Sequence, residues 1–216
     1  MGILEVNQEK LQIYIYSNIF LYGNAIGEEL RRNIEEEIND MWNQPRGLVW
    51  MNQLPYLVNF ATSVFLFPDL KPYDIVANTN PRNNYFRIED FALGNISYVD
   101  GLGSNTGYFL LDNLYKGSTT AAHEYGHTLG LPHPDDLDIR GKGIPGIMFP
   151  RGTLVDAEYQ YDPMVAAGEK GGTIYPIHRR VLQSDIDDLN IAGLLKSNKM
   201  VIGNFSSKYH EAQEKI

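Results

Sequence analysis

Cysteine is absent from the 216-residue sequence. That absence removes disulfides, thiolate metal sites and thiol nucleophiles, so any metal must sit on histidine or carboxylate. Basic charge is scarce as well: 18 Lys and Arg stand against 27 Asp and Glu, for a formal charge of −9. Such a balance leaves no electrostatic footprint for a phosphate backbone or an anionic lipid surface, so neither nucleic acid nor membrane is expected as a partner. Long apolar runs are missing too. The richest stretch, residues 54–68, is interrupted by Asn59, Thr62 and Ser63 and falls short of the roughly 18 to 20 apolar residues that a membrane span needs. The opening Met1-Gly2-Ile3-Leu4-Glu5-Val6-Asn7 lacks the basic stretch and apolar core of a secretory signal. A piece cut from a longer precursor would look the same, so a soluble chain is expected, with export or delivery left open.

What is present is ample apolar material, 43% of residues, enough to fill a sizeable core. Residues 11–16 and 18–22 are rich in β-branched and aromatic side chains and predict an opening strand or two. From residue 26 to 42 the apolar positions Ile26, Leu30, Ile34, Ile38 and Met41/Trp42 follow helical spacing among Glu and Arg, which predicts a helix backing a sheet. Short apolar stretches at 48–51, 57–67, 74–77, 85–88, 96–99 and 108–111 suggest a twisted mixed sheet of about four to five strands. The fold class is therefore α/β (α+β). Residues 1–216 form one domain in this reading, with a sheet-bearing lobe over 1–131 and an irregular lobe over 132–216. The Gly- and Pro-rich stretch 131–175 is long for a structureless loop and points to a functional or partly mobile segment. A final helix begins near Ser184, with Asp185, Asp187 and Asp188 in its first turn.

Chemistry concentrates in His123-Glu124-Tyr125-Gly126-His127-Thr128-Leu129-Gly130-Leu131-Pro132-His133. On a helix capped by Ser118 or Thr119, His123 and His127 lie about 40° apart on one strip and can reach a single ion. Glu124 sits a fraction of a turn away, poorly placed as a third ligand but well placed to meet a water on that ion. Gly130 lets the chain leave the helix sharply, so that His133 returns as a third nitrogen donor. Zinc held by three protein ligands keeps one position for water and lowers its pKa from 15.7 toward about 7, with Glu124 as the general base.

The pattern H-E-x-x-H-x-x-G-x-x-H resembles the zinc-binding consensus of the metzincin metalloendopeptidases. The resemblance is sharp over residues 118–150 and looser over 176–195. It implies a metzincin-like fold, Zn²⁺ as cofactor on His123, His127 and His133, and hydrolysis of a protein or peptide bound in extended form. It also implies a methionine turn beneath the metal, for which Met148 in Gly146-Ile147-Met148-Phe149-Pro150 is the candidate. Residues 149–151 would then line the pocket for the side chain after the cut bond, and residues 83–86 or 107–110 would supply the substrate-pairing edge strand. His-Thr-Leu-Gly-Leu-Pro-His-Pro is similar to serralysins, whereas Ile147-Met148-Phe149-Pro150 and residues 181–189 look more like matrixins. Where serralysins and astacins carry a tyrosine two residues after the turn methionine, this chain has Pro150, leaving Tyr159, Tyr161 or Tyr175 to approach the site. Residues 143–178 also look like the toxin ends of bacterial Rhs-type proteins. A delivered toxin peptidase with one target, or an inert zinc-binding protein, are the rival readings, and the sequence leaves the oligomeric state open.

Weaker signals have plainer readings. Asp135, Asp136 and Asp138 could hold Ca²⁺, but residue 147, where an EF-hand counted from Asp136 needs Glu, is Ile, and solvated turn acids are the simpler account. Residues 101–107 resemble a phosphate loop only in their glycines. His178, beside Arg179 and Arg180, reads as a solvated basic turn, and His210 as exposed in a polar tail.

Overall fold

The computed structural model describes residues 1–214. Its central strand is β2 (Gln12–Tyr22), where alternation sends Ile13, Ile15, Ile19 and Leu21 into the core and turns Tyr14, Tyr16 and Phe20 to the other face. β4 (Leu54–Leu66) runs parallel to it, from Gln12 opposite Leu57 to Leu21 opposite Leu66. The other edge of β2 is shared. β1 (Gly2–Asn7) pairs antiparallel with residues 12–16, and β5 (Asn83–Glu89) pairs parallel with residues 18–22. β7 (Thr106–Leu110) follows β5 in parallel, and the two-residue β6 (Tyr98–Val99) lies antiparallel outside β7. With β3 (Leu48–Met51) against β4 and β8 (Val201–Ile202) against β1, the result is an eight-stranded mixed sheet whose main path runs β3-β4-β2-β5-β7-β6.

The α/β class is as expected, but the sheet is larger than four to five strands because β1 and β8 add to it. One expected strand is a helix: residues 74–77 fall in or beside α2 (Pro72–Val76), where proline opens the helix and Asp74 Oδ2 accepts the Lys71 N–H at 2.7 Å. The expected edge strands are also corrected. β5 is interior, and β7 is covered by β6, so β6 is the edge on that side.

Helix α1 (Glu28–Asn43) buries Ile34, Ile38 and Trp42 against β4 and against α3 (Thr120–Thr128). It also completes the hydrogen bonding of β4. Asn43 exchanges two bonds with the Phe60 backbone, both 2.9 Å; Asn39 does so with Thr62 at 2.8 and 2.9 Å; and Glu35 accepts the Val64 N–H at 3.0 Å. The register works because four helical residues rise about 6 Å and two strand residues about 6.6 Å, so side chains at i, i+4 and i+8 meet alternate backbone groups.

Beyond α3 the chain is irregular but not loose. Residues 138 and 154, 146 and 180, and 160 and 174 form isolated bridges, and Ile139, Val155 and Ile174 make a small core with Phe149 and Tyr159. The last helix is two helices, α4 (Gln183–Asp188) and α5 (Ile191–Lys196), and Leu182 holds the cap position of α4, its N–H bonded to Asp185 Oδ2 at 2.7 Å.

The tail then returns beside β6 and β7. His210 is buried there, not exposed: its Nε2 lies 2.8 Å from Asp100 Oδ2, its N–H donates to Tyr22 Oη at 3.0 Å, and its carbonyl accepts from Arg87 at 2.9 Å. Among the described residues no helix is long and apolar enough to cross a membrane.

Candidate active site

Helix α3 carries His123, Glu124 and His127, all buried. Thr119 precedes it with φ 55° and leaves the first N–H groups uncapped by its own side chain. Capping comes instead from Ser118 Oγ, 3.2 Å from the Thr120 N–H, and from Glu37 of α1, whose Oε1 accepts the Ala122 N–H at 3.2 Å. Trp42 Nε1 donates to the Ala122 carbonyl at 3.0 Å, so α1 grips α3 one residue before the first histidine. At the far end Gly130 takes φ 98°, a left-handed stop that releases the chain toward His133.

The three imidazoles converge. Nε2 of His133 lies 3.1 Å from Nε2 of His123 and 3.0 Å from Nε2 of His127, and the three possible ligand atoms all fall within 4.8 Å of one another. The opposite nitrogens fix the tautomers on the helix. His123 Nδ1 donates to the Ile147 carbonyl at 2.8 Å and His127 Nδ1 to the Leu131 carbonyl at 2.7 Å; a carbonyl can only accept, so each Nε2 keeps its lone pair. Burial holds all three rings below the ordinary imidazole pKa, His127 to about 4 and His123 well below, and the charge of Arg179 presses the same way. Near neutral pH they are neutral donors able to share one cation.

Burial pushes the Glu124 carboxyl up to about 8, with Arg179 and the Val99 N–H drawing it partly back. Its Oε2 is buried and finds no hydrogen-bond partner among the described residues. A buried carboxylate oxygen without a protein partner and three convergent ring nitrogens make a donor set whose chemistry fits a metal ion and its water. Beneath the helix, Met148 packs against Gly126, where a Cβ would come within 3.0 Å of its sulfur. Close approach there requires glycine.

Arg179 is not part of a solvated basic turn, contrary to the expectation from its neighbours. It is 3% exposed; Nε donates to Thr119 Oγ1 at 2.8 Å, Nη1 to the Phe149 carbonyl at 3.1 Å and Nη2 to the Ser118 carbonyl at 3.0 Å. Its Nη1 also lies 3.1 Å from His123 Nδ1, an approach of two donors, because that ring proton is directed at Ile147. The guanidinium thus ties the start of α3 to the turn after Met148. No local signal in His178-Arg179-Arg180 announces this, since every side-chain acceptor lies 30 or more residues away.

These groups line a cleft of about 540 Å³ walled by residues 95–99 on the β6 side and by Pro150 and Arg151 on the other. Phe149 turns into the small C-terminal core instead. Tyr159, Tyr161 and Tyr175 are not in the cleft wall: Tyr161 packs on Tyr175 at 4.8 Å and Tyr159 on His178 at 5.7 Å. Of the acids considered for calcium, two are engaged within their loop, Asp136 with Lys142 and Asp138 with Arg140, each at 2.5 Å. A larger groove of about 930 Å³ runs between α1 and residues 114–121, but among the described residues the histidine triad is the one group of potential metal ligands.

No family model matches the chain, and no curated protein matches it. Among solved structures it is similar to the crystal structure of archaemetzincin from Methanopyrus kandleri, at 11% sequence identity and a TM-score of 0.40, over 81% of this chain and 94% of that chain.

Proposed function

We propose that the chain is a zinc-dependent peptidase of metzincin type, with His123, His127 and His133 as metal ligands and Glu124 as general base. The carrying observation is that three ring nitrogens converge beside a buried carboxylate oxygen that no group among the described residues satisfies. The donor set suits zinc. Two nitrogens each 2.0–2.1 Å from one tetrahedral ion would sit roughly 3.3 Å apart, and the observed 3.0 and 3.1 Å are within a few tenths of that.

Bound zinc would supply a Lewis acid that polarises a peptide carbonyl and acidifies water. Glu124 would accept the proton of the attacking water and return it to the departing amine nitrogen. Ile147 and Leu131 carbonyls hold two rings in the ligating tautomer, while Met148 supports the helix from below. The outer edge of β6, which no further strand covers among the described residues, offers backbone groups to an extended protein or peptide substrate.

Glu124→Gln tests this reading. Metal analysis should find zinc retained, because the three nitrogens remain, while cleavage of a peptide library falls by roughly 10²–10⁴-fold or more. Cleavage by the variant at the native rate would remove Glu124 from the role.

A further inference from the structure

The charge of the cleft runs against that of the chain. Overall, carboxylates outnumber cations and the net charge is −9. Yet of the charged side chains that line the cleft, Glu124 is the one carboxylate, and Arg151 and Arg179 are the cations. Elsewhere Arg31, Arg82, Arg87 and Arg140 each sit on a carboxylate within 2.9 Å. Arg32 and Arg46 also lack an ion pair among the described residues, but they lie away from the cleft; Arg151 is exposed at its rim and makes neither a hydrogen bond nor an ion pair with any described residue.

Its backbone is nevertheless held firmly. Both the N–H and the hydroxyl of the fully buried Thr153 donate to the Pro150 carbonyl, at 3.3 and 2.8 Å, closing a turn around Arg151. That turn follows directly on Met148, and its preceding carbonyl, Phe149, is the one Arg179 holds. Arg179 has its three nitrogens committed to protein acceptors, so it adds a fixed positive field but little free donor capacity. Arg151 has all of its donors free. A planar guanidinium on a rigid turn, backed by a second positive charge and facing a cleft with reactive groups, is built to receive a carboxylate in a forked geometry.

We propose that Arg151 selects substrates bearing a carboxylate next to the peptide bond to be cut, so that acidic peptide segments are the substrate class. This rests on the peptidase reading above. The carboxylate has two possible sources with one chemistry, an Asp or Glu side chain or the free end of a peptide chain. Arg151 is the recognising residue and Arg179 a positioning one.

The test uses zinc-loaded full-length protein and quenched fluorescent peptides that differ only in Glu, Gln or Lys beside the cut bond. Short versions with a free or amidated C-terminus one residue beyond it form a second arm. The wild type should prefer Glu over Gln by roughly tenfold in kcat/KM. In Arg151→Gln the ratio should collapse to within about twofold, and Arg151→Glu should turn the preference toward Lys. Preference for internal Glu assigns the side chain, and preference for the free terminus over its amide assigns the chain end. A wild-type ratio within twofold in both arms, or a ratio that survives Arg151→Gln, overturns the proposal. Fluorescence anisotropy of the same peptides on zinc-loaded Glu124→Gln separates the two readings. Tighter binding of Glu than Gln peptides, lost with Arg151→Gln, keeps the carboxylate site even where no peptide is cut, an outcome that would sink the peptidase reading alone. Cleavage without acidic preference does the reverse.

Discussion

Gly126→Ala probes the support beneath the three histidines. The added methyl would lie within 3.0 Å of Met148 Sδ and 3.2 Å from both Met148 Cε and Trp42 Cζ2. Overpacking of this sort costs about 1–3 kcal/mol, while replacing a helical glycine by alanine returns about 0.8–1 kcal/mol of backbone preference. Because Trp42 is itself wedged against Phe60 and Tyr125, with ring centroids 5.0 and 5.7 Å away, the methyl cannot be accommodated on that side. The strain should therefore fall on Met148, and a net loss of about 1–2 kcal/mol is expected. In a Met148→Ala background the obstruction is gone. There the same substitution should become neutral or stabilise by about 0.5 kcal/mol, as helix preference outweighs the Trp42 contact. Urea denaturation of the four zinc-free proteins closes the cycle, and the coupling energy should be about 1–2.5 kcal/mol. Equal costs of Gly126→Ala in the two backgrounds would refute the contact as the source of the strain.

Two further perturbations follow from the same geometry. Removing zinc with a chelator should lower the melting temperature, since a ligand present at 1,000 times its Kd contributes about 4 kcal/mol to the folded state; His133→Ala, at an exposed position, should abolish that zinc-dependent shift, and a shift that persists would remove His133 from the ligand set. Burial alone would raise the Asp100 carboxyl, but bonds from His210, Thr106 and Lys208 bring it down to about 2 from 3.8. A depressed carboxyl stabilises the fold above the unfolded value, so about 2 kcal/mol present at neutral pH should be lost as pH falls from near 4 through 2. Asp100→Asn should flatten that acid limb in stability measured by denaturant, and an unchanged limb would sink the assignment.

Features encoded by local periodicity could be read from the sequence. The stripe of Ile34, Ile38 and Trp42 marks α1, the alternation through residues 12–22 marks β2, and the motif with its Gly130 stop brings His133 back to His123 and His127. What was missed depends on partners far along the chain. His210 lies in a polar tail whose composition suggests exposure, yet its partner Asp100 is 110 residues away. Asn39 and Asn43 look like solvated helix positions, and only the β4 backbone beside them gives them a ladder to complete. β6 lies within the apolar stretch 96–99 that the sequence marks, but its place as the cleft edge follows only from β7 already pairing with β5.

The same division explains how the histidines are held. Spacing along α3 sets where two rings project, but not which nitrogen faces inward. That choice is made by two carbonyls, one from Leu131 just past the helix and one from Ile147 in the turn that carries Met148. The rings are held with their nitrogens about 3 Å apart by means beyond the spacing of the motif. Burial of Tyr125 and Met148, the grip of Trp42 and Glu37 on the helix start, and the Arg179 tether from Ser118 to Phe149 are those means. On the proposed reading of the site, rings already oriented by this surround would lose little further freedom on binding a metal, so residues far from the motif would contribute to affinity.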